Sequence, residues 1–345
     1  MRVSHRLSKL LVLLLAGALL AAACGGGDDD SEASGAEGSD DLPVVKLNAL
    51  SGGLTAVALV VIEENGFDED NGFTGEFFYN DPDASGQFFL QQQADISFDQ
   101  DPLNVAIARS QGIEVTTFYP VLNNNNCILV KSDSGYSSPE DLVGKKVGHF
   151  GADSGTTTSL SVMLQEIHGI DLLDEYNLVE SDPATHVELL DRGEVDAIFD
   201  FVPHSSRAMV QGGAECLFGP AVEEWQNERG TTNFLSTMAA HDEWLSENAD
   251  LAEQVMAAWD DAIAWIEEDP SRLTEDPYAE LMGQDDPEVL DLIAEQATEI
   301  PLWTNDWSEE AQAAAEEFVD LSAEQGILIE ENPGGVVTTI DDWKQ

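Results

Sequence analysis

The chain has 345 residues, of which 43% are hydrophobic and 8% aromatic, and this composition predicts a globular protein with a sizeable core. It carries 68 acidic against 13 basic residues, a formal net charge of −55. So few cationic side chains argue against a nucleic-acid partner, because phosphate binding needs clustered Lys and Arg. The acidic residues are spread along the chain, which favours a solvated surface over a dedicated binding device.

The N-terminal residues have the pattern of a secretory signal: a cationic start, a short apolar run and small side chains. The cationic residues are Arg2, Arg6 and Lys9, and the apolar run covers residues 10–20. Alanines at 21–23 directly before Cys24 resemble the lipobox of bacterial lipoproteins, in which the cysteine receives a diacylglycerol. We therefore predict a lipoprotein signal peptide at residues 1–24, lipidation at Cys24, and an extracytoplasmic protein anchored to the cell membrane. An ordinary cleaved signal is the alternative.

Residues 25–43 consist mainly of Gly, Ser, Asp and Glu and have almost nothing to bury. Such a segment stays disordered, and we interpret it as a flexible acidic tether between the anchor and a folded region.

Beyond the tether, strand and helix patterns alternate, which predicts an α/β protein with parallel strands and helices on both faces. In the first half we predict strands at 44–50, 76–80, 95–98 and 113–119 and helices at 54–64 and 102–109. After residues 123–126 the pattern restarts, with a short helix at 138–142, strands at 146–150, 178–180, 195–200 and 216–218, and helices at 156–168, 186–192 and 203–211. An extended segment at 234–239 leads into a helical C-terminal part.

Four passages carry a family resemblance. Residues 93–97 (QADIS) resemble a G-x-A-D-I-G strand, and residues 110–115 (SQGIEV) resemble A-x-G-x-P-V. Residues 138–148 (SPEDLVGKKVG) closely resemble S-P-x-D-L-K-G-K-K-V-G, and residues 189–197 (LLDRGEVDA) resemble L-x-x-G-x-V-D-A. In their order and spacing the chain is similar to the nitrate/sulfonate/taurine and thiamine-pyrimidine-precursor group of ABC-transporter solute-binding proteins.

The resemblance implies the two-lobed type 2 periplasmic-binding-protein fold, with two mostly parallel sheets flanked by helices and a helical C-terminal part. Lobe 1 would comprise residues 44–122 and 233–345, and lobe 2 residues 123–232. A small-molecule ligand would bind in the cleft between them, and a monomer would deliver it to the permease of an ABC importer. Neither an enzymatic activity nor a cofactor is expected.

We expect the ligand contacts in loops that follow strands, where helix N-termini and free N–H groups converge. The candidates are Ser51, Gly52, Gly53, Tyr79, Phe98, Asp99, Gln100, Asn124, Asn125, Asp153, Ser154, Gly155, Thr156, Asp200 and Phe201. Several have a purely structural alternative: a tight turn for residues 51–53, an asparagine-rich turn at the crossover, and helix caps for the aspartates and Ser154.

These candidates include amides, hydroxyls, acids and aromatic rings but no Lys or Arg, which favours a neutral or cationic ring-bearing ligand. A thiamine-precursor pyrimidine or related heterocycle is the first prediction, and an alkylsulfonate, taurine or nitrate is the alternative. The subfamily stays open, because residues 199–203 (FDFVP) replace the Trp-Asp-Pro of many sulfonate binders. Likewise, residues 124–127 (NNNC) replace the His-Asn-Thr-Ser-Gly of many pyrimidine-precursor binders. An enzyme of the pyrimidine-precursor synthase type is less favoured, since no Cys/His cluster is visible.

Two cysteines follow the tether, Cys127 and Cys216, and neither belongs to a metal-binding motif. In an exported protein two thiols can pair. The resemblance implies that their strands are neighbours in one sheet, which allows a disulfide, and two buried free thiols are the alternative.

Overall fold

A computed structural model describes residues 42–152 and 154–344 of the chain. The predicted signal peptide, its lipidation site Cys24 and the predicted site residue Asp153 lie outside the described residues. Of the predicted tether, only Leu42 and Pro43 are described.

The described residues form two five-stranded sheets with helices packed around them. The strands are β1 (Val44–Leu50), β2 (Thr74–Asn80), β3 (Ile96–Gln100), β4 (Val115–Asn123), β5 (Cys127–Lys131), β6 (Lys146–His149), β7 (Asn177–Glu180), β8 (Ala197–Asp200), β9 (Ala214–Phe218) and β10 (Phe234–His241). The first sheet has the order β2-β1-β3-β10-β4 and the second the order β7-β6-β8-β5-β9.

Helices connect the strands and fill the C-terminal part. They are α1 (Leu54–Asn65), α2 (Phe67–Asp70), α3 (Pro82–Leu90), α4 (Pro102–Ser110), α5 (Gly155–His168), α6 (Leu172–Glu175), α7 (Pro183–Asp191), α8 (His204–Gly212), α9 (Ala221–Arg229), α10 (Asp242–Glu268), α11 (Tyr278–Leu281), α12 (Pro287–Glu299) and α13 (Glu309–Gln325). Short 3₁₀ helices occur at Pro139–Leu142, Pro270–Thr274 and Ile340–Asp342.

Strand directions confirm the α/β class and add one antiparallel strand to each sheet. β1 runs parallel to β2 and β3, and β6 runs parallel to β7 and β8. β10 is antiparallel to both of its neighbours, and so is β5. In each sheet four of the five strands therefore run in one direction and a single strand, β10 or β5, runs against them, so both sheets are mixed but mostly parallel, as predicted. β5 and β10 are the first strands after the chain passes from one sheet to the other, so no crossover helix within one sheet sets their direction.

The first sheet is covered by α1 and α10, whose apolar faces supply most of its core. α1 is apolar over nearly its whole length, as expected of a buried helix, and its buried residues include Leu54, Leu59 and Ile62. It ends where Gly66 adopts a φ of 71°, which glycine takes without strain, and the Gly66 N–H reaches the last carbonyls of the helix. From α10, the fully buried Trp259 packs on Phe98 with ring centroids 5.5 Å apart.

The first crossing between the sheets is braced by buried asparagines. The Asn124 side-chain amide donates to Asn233 Oδ1 (2.6 Å) and Ser159 Oγ (2.8 Å). Asn125 Oδ1 accepts from the Val202 N–H at 3.0 Å. Because Asn233 directly precedes β10, these bonds tie the two crossing segments to each other and to helix α5.

In the second sheet, Cys127 of β5 and Cys216 of β9 form a disulfide, with Cα atoms 5.6 Å apart. The bond joins neighbouring strands, as the family resemblance implied. Over the described residues, no helix combines the length and the apolar character needed to cross a membrane.

Candidate ligand-binding cavity

A cavity of about 660 Å³ opens between the two sheets, where several strands end. Leu50, Asp99 and Gln100 line it at the ends of β1 and β3. On the opposite wall, Glu180 ends β7, and Phe150 and Phe201 follow β6 and β8 directly. The carboxyl ends of parallel strands thus converge here from both sheets, which is where open α/β sheets bind ligands.

The structure brings part of the predicted site together in this cavity. The predicted residues that line it are Gly53, Asp99, Gln100, Ser154, Gly155, Thr156 and Phe201. They come from both sheets, so a molecule in the cavity would contact both halves of the fold.

Other predicted residues have structural roles and do not line the cavity. Ser51 Oγ donates to Asp81 Oδ1 (3.1 Å), and Gly52 has a φ of 76° in the turn between β1 and α1. Phe98 is fully buried in the core of the first sheet, and Tyr79 packs against the same core. The predicted contacts Asn124 and Asn125 brace the crossing, as described above.

Asp200 is also absent from the cavity wall, because it lies fully buried behind Phe201. Its Oδ1 accepts from the Phe201 N–H at 3.1 Å, and its Oδ2 lies 3.9 Å from Nδ1 of His186. Burial raises the pKa of Asp200 and lowers the pKa of His186 to about 4, so the imidazole is neutral at pH 7. The pair is a buried polar contact beneath the wall and does not touch the cavity.

Two phenylalanines form an aromatic wall on the second-sheet side. The ring centroids of Phe150 and Phe201 are 5.6 Å apart, and both residues line the cavity. Each phenylalanine also contacts a histidine. The ring centroids of His186 and Phe150 are 4.6 Å apart, and those of His204 and Phe201 are 5.5 Å apart. Burial lowers the pKa of His204 to about 4. The wall therefore contains two aromatic side chains with neutral imidazoles beside them, which suits contact with a flat ligand.

The opposite wall carries two carboxyl groups in confined surroundings. Asp99 is partly open to the cavity and accepts a hydrogen bond from the Leu50 N–H, while burial raises its pKa to about 6. Asp101 is only 3% exposed, and burial raises its pKa to about 7. Its Oδ2 and the nearby cavity-lining Ser236 Oγ have no hydrogen-bond partner among the described residues. Buried oxygens of this kind favour a ligand that supplies hydrogen-bond donors.

No Lys, Arg or His lines the cavity within the part of the chain that the structure describes. Arg109 forms an ion pair with Asp242 (3.0 Å), and its Nε donates to a backbone carbonyl. Lys131 pairs with Asp191 at 3.0 Å, and Arg207 donates to a glutamine in its own helix. The cavity is therefore an acidic and aromatic site. Across residues 42–152 and 154–344, no cluster of three or more His, Cys, Asp and Glu side chains is placed to hold a metal ion.

Sequence reasoning missed much of the first-sheet wall. The additional cavity residues with polar groups or close backbone are Ser85, Gly86, Gln87, Asp101, Asn104, Gln111, Glu180 and Ser236. Phe150 and Glu180 could have been predicted from the sequence, because each stands at the end of a predicted strand. Gln87 belongs to a helix that no pattern indicated, and Ser236 lies inside an extended segment with no local signal of function.

Two mixed sheets, two crossing segments and a cavity between them define the class: a two-lobed α/β protein of the periplasmic-binding-protein fold. The aliphatic sulphonate binding protein SsuA from Escherichia coli is similar at a TM-score of 0.66 and 18% identity, over 83% of this chain and 94% of that one. The nitrate-binding protein NrtA from Synechocystis PCC 6803 is similar at a TM-score of 0.61 and 12% identity, over 83% of this chain and 82% of that one. The desulfurization enzyme DSZB is similar at a TM-score of 0.57 and 14% identity, over 87% of this chain and 96% of that one.

The family follows from the sequence itself. The model of the NMT1/THI5-like family matches residues 56–273, and the chain belongs to this family. This confirms the resemblance carried by residues 93–97, 138–148 and 189–197. No curated protein sequence matches the chain significantly.

Proposed function

We propose that the chain is the extracytoplasmic solute-binding component of an ABC importer, and that it captures a small ring-bearing molecule in the cavity. A thiamine-precursor pyrimidine or a related heterocycle is the proposed ligand. Residues 44–122 with 233–345 would form one lobe and residues 123–232 the other, closing on the ligand and presenting it to a membrane permease. Family membership and the shared fold support the solute-binding role.

The observation that carries the ligand class is the chemistry of the cavity walls. Phe150 and Phe201 offer ring faces on one side, and Asp99, Asp101 and Gln100 offer acceptors on the other. A flat heterocycle with exocyclic amino groups satisfies both walls, because its face stacks while its edge donates hydrogen bonds. The volume of about 660 Å³ suits a small organic molecule.

Binding of an alkylsulfonate, taurine or nitrate is the second candidate. Solved structures of similar fold include sulphonate- and nitrate-binding proteins, and Ser154, Gly155 and Thr156 at the N-terminus of α5 line the cavity, where a helix dipole favours an anion. Against this reading, the carboxyl group of Asp101 already faces that turn, beside Gly155. Ser154 Oγ accepts from the Thr157 N–H and Thr156 Oγ1 donates to Asn126, so both hydroxyls are already engaged within the fold.

We propose no catalytic activity for the chain. The desulfurization enzyme DSZB shares the fold, so the architecture alone does not separate binder from enzyme. The cavity wall of the described residues contains no Cys or His, which a nucleophilic or general-base mechanism of the synthase type would use.

The proposed location rests on the N-terminal sequence. Signal cleavage and acylation at Cys24 would hold the folded region at the membrane surface through the acidic tether. The disulfide between Cys127 and Cys216 is in keeping with an exported protein.

The test is to identify a bound molecule and then measure it. Native mass spectrometry of the purified protein would show co-purified solute, and calorimetry would compare pyrimidines and thiamine with taurine, methanesulfonate and nitrate. We expect tight binding of an amino-substituted ring and none of the small anions. Tight binding of the anions alone would assign the second candidate, and binding of no solute at all would refute the role in import.

A further inference from the structure

Asp101 has a divided role at the start of helix α4. Its Oδ1 accepts from the N–H groups of Leu103 (2.8 Å) and Asn104 (3.0 Å), which caps the helix. Its other oxygen, Oδ2, is buried and has no hydrogen-bond partner among the described residues, and Asp101 is one of the residues that line the cavity. Capping therefore accounts for one oxygen of the carboxyl group and leaves the other without a partner.

The second sheet reaches the same carboxyl group through helix α5. A Cβ at Gly155, the first residue of α5, would lie 2.7 Å from Asp101 Oδ2 and 3.4 Å from Asn104 Nδ2. The approach is thus so close that only a residue without a side chain fits. Asp101 stands between the N-termini of two helices, one from each sheet, and both helix dipoles favour its charged form, against the burial that raises its pKa.

The remaining charges of the cavity have the same sign. Asp99 and Glu180 are the other acidic side chains on its wall, and no cationic side chain of the described residues balances them. A buried carboxylate oxygen without a donor is costly, and a ligand nitrogen bearing a proton supplies that donor. An anionic group at this position would meet three carboxyl groups and no cation.

We propose that Asp101 is the specificity-determining residue of the cavity: Oδ2 accepts a hydrogen bond from an N–H group of the ligand, and the site thereby selects amino-substituted or protonated nitrogen compounds and rejects oxyanions. This inference rests on the proposed function and deepens it, because it assigns the choice of ligand to one oxygen atom. The same oxygen lies against Gly155. The N–H group of the ligand would therefore bind where the two halves of the fold contact each other.

The test combines a residue change with a ligand change. Asp101→Asn keeps Oδ1 as the cap of α4 and replaces Oδ2 with an NH₂ donor of the same shape. The probes are 4-amino-5-hydroxymethyl-2-methylpyrimidine, its analogue with a methyl group in place of the amino group, and methanesulfonate, measured by calorimetry. For the wild type we expect the analogue to bind about 10- to 100-fold more weakly than the aminopyrimidine. In the variant this difference should disappear, and methanesulfonate binding should not weaken.

Asp182→Asn is the matched control, because Asp182 caps α7 through its Oδ1 (2.9 Å to the Thr185 N–H) and does not line the cavity. It should leave all three affinities within about threefold. Circular dichroism establishes that both variants are folded, and the wild-type comparison of the two pyrimidines needs no variant.

The outcomes separate the two proposals. Equal wild-type affinity for both pyrimidines, or a preference that survives in Asp101→Asn, overturns the role of Asp101 and leaves solute capture intact. Wild-type binding of methanesulfonate without either pyrimidine overturns the selection of N–H donors and also leaves solute capture intact. A wild type that binds none of the three probes, and carries no co-purified solute, overturns the proposed function and this inference with it.

Discussion

The buried carboxyl group of Asp101 also predicts how Asp101→Asn changes the free energy of unfolding, which can be measured without a ligand. Asp101 is 3% exposed, one of its oxygens lacks a partner among the described residues, and burial raises its pKa to about 7. Asparagine has the same shape and is as good a helix cap as aspartate, but it carries no charge to desolvate. We expect the variant to be more stable than the wild type at alkaline pH, although it binds the ligand less well.

The magnitude follows from proton linkage. The pKa of an aspartate is about 3.9 in an unfolded chain, whereas burial raises that of Asp101 to about 7 in the fold. The folded state therefore holds its proton more tightly, and the wild type loses stability as pH rises from about 4 to about 7. Three pH units at about 1.36 kcal/mol each amount to about 4 kcal/mol above pH 7, as an order of magnitude. Near pH 4 the folded state is protonated and the unfolded aspartate is about half protonated, so the difference shrinks below about 1 kcal/mol.

The assay is urea denaturation followed by circular dichroism, at pH 8 and pH 4.5, for wild type and variant. Asp133→Asn is the control, because Asp133 is exposed on the loop after β5 and should change stability by less than about 0.5 kcal/mol at either pH. A variant that is less stable than wild type at pH 8, or a gain that is equal at both pH values, would refute the reasoning. It would mean that the two helix N-termini offset the desolvation of the carboxylate.

Three further predictions concern other parts of the chain. Gly155→Ala adds a Cβ 2.7 Å from Oδ2 of Asp101, which lies against Gly155, and we expect aminopyrimidine binding to weaken about 10- to 100-fold through overpacking. Gly212→Ala is its control, because its nearest contact would be an ordinary 3.5 Å and its affinity should not change. Replacing Cys127 and Cys216 with serine should lower the free energy of unfolding by at most about 4–5 kcal/mol, since the bond closes a loop with a sequence separation of 89. Intact mass under non-reducing conditions checks this bond, and two free thiols in the wild type would contradict it. Cys24→Ala should release the protein into the medium or leave it unprocessed, and a variant that stays processed and membrane-bound would exclude the anchor.

Much of the fold could be predicted because its signals are local. β1 covers the predicted residues 44–50, and α1 begins at the predicted Leu54 and ends at the predicted Asn-Gly stop. Such elements depend on hydrophobic period, caps and helix-stop glycines, and these signals lie in residues that are close together in the sequence. α3 (Pro82–Leu90) was missed because its sequence contains Gly86 and no clear apolar period. It is helical because Phe89, which is fully buried, packs into the core.

The direction of β5 and β10 depended on partners distant in the sequence. Each lies between two strands of a sheet that the chain has just entered, and hydrogen bonds to both neighbours set its direction. No residue within either strand encodes whether those neighbours run parallel or antiparallel. The sequence therefore predicted two mostly parallel sheets with helices, and only the tertiary structure showed which strand of each sheet runs against the others.

The cavity shows the same division at the level of single side chains. Asp99, Asp101 and Asp200 all stand at or just beyond the end of a strand, and the sequence alone identified this edge as the place for ligand contacts. Only packing decided that Asp99 and Asp101 face the cavity while Asp200 lies buried behind Phe201. A strand-end pattern predicts where the chain turns, because the residues at the turn itself determine turns and helix caps. Which way a turning side chain points depends on elements that arrive from elsewhere in the sequence, here the first turn of α5 and the two phenylalanines.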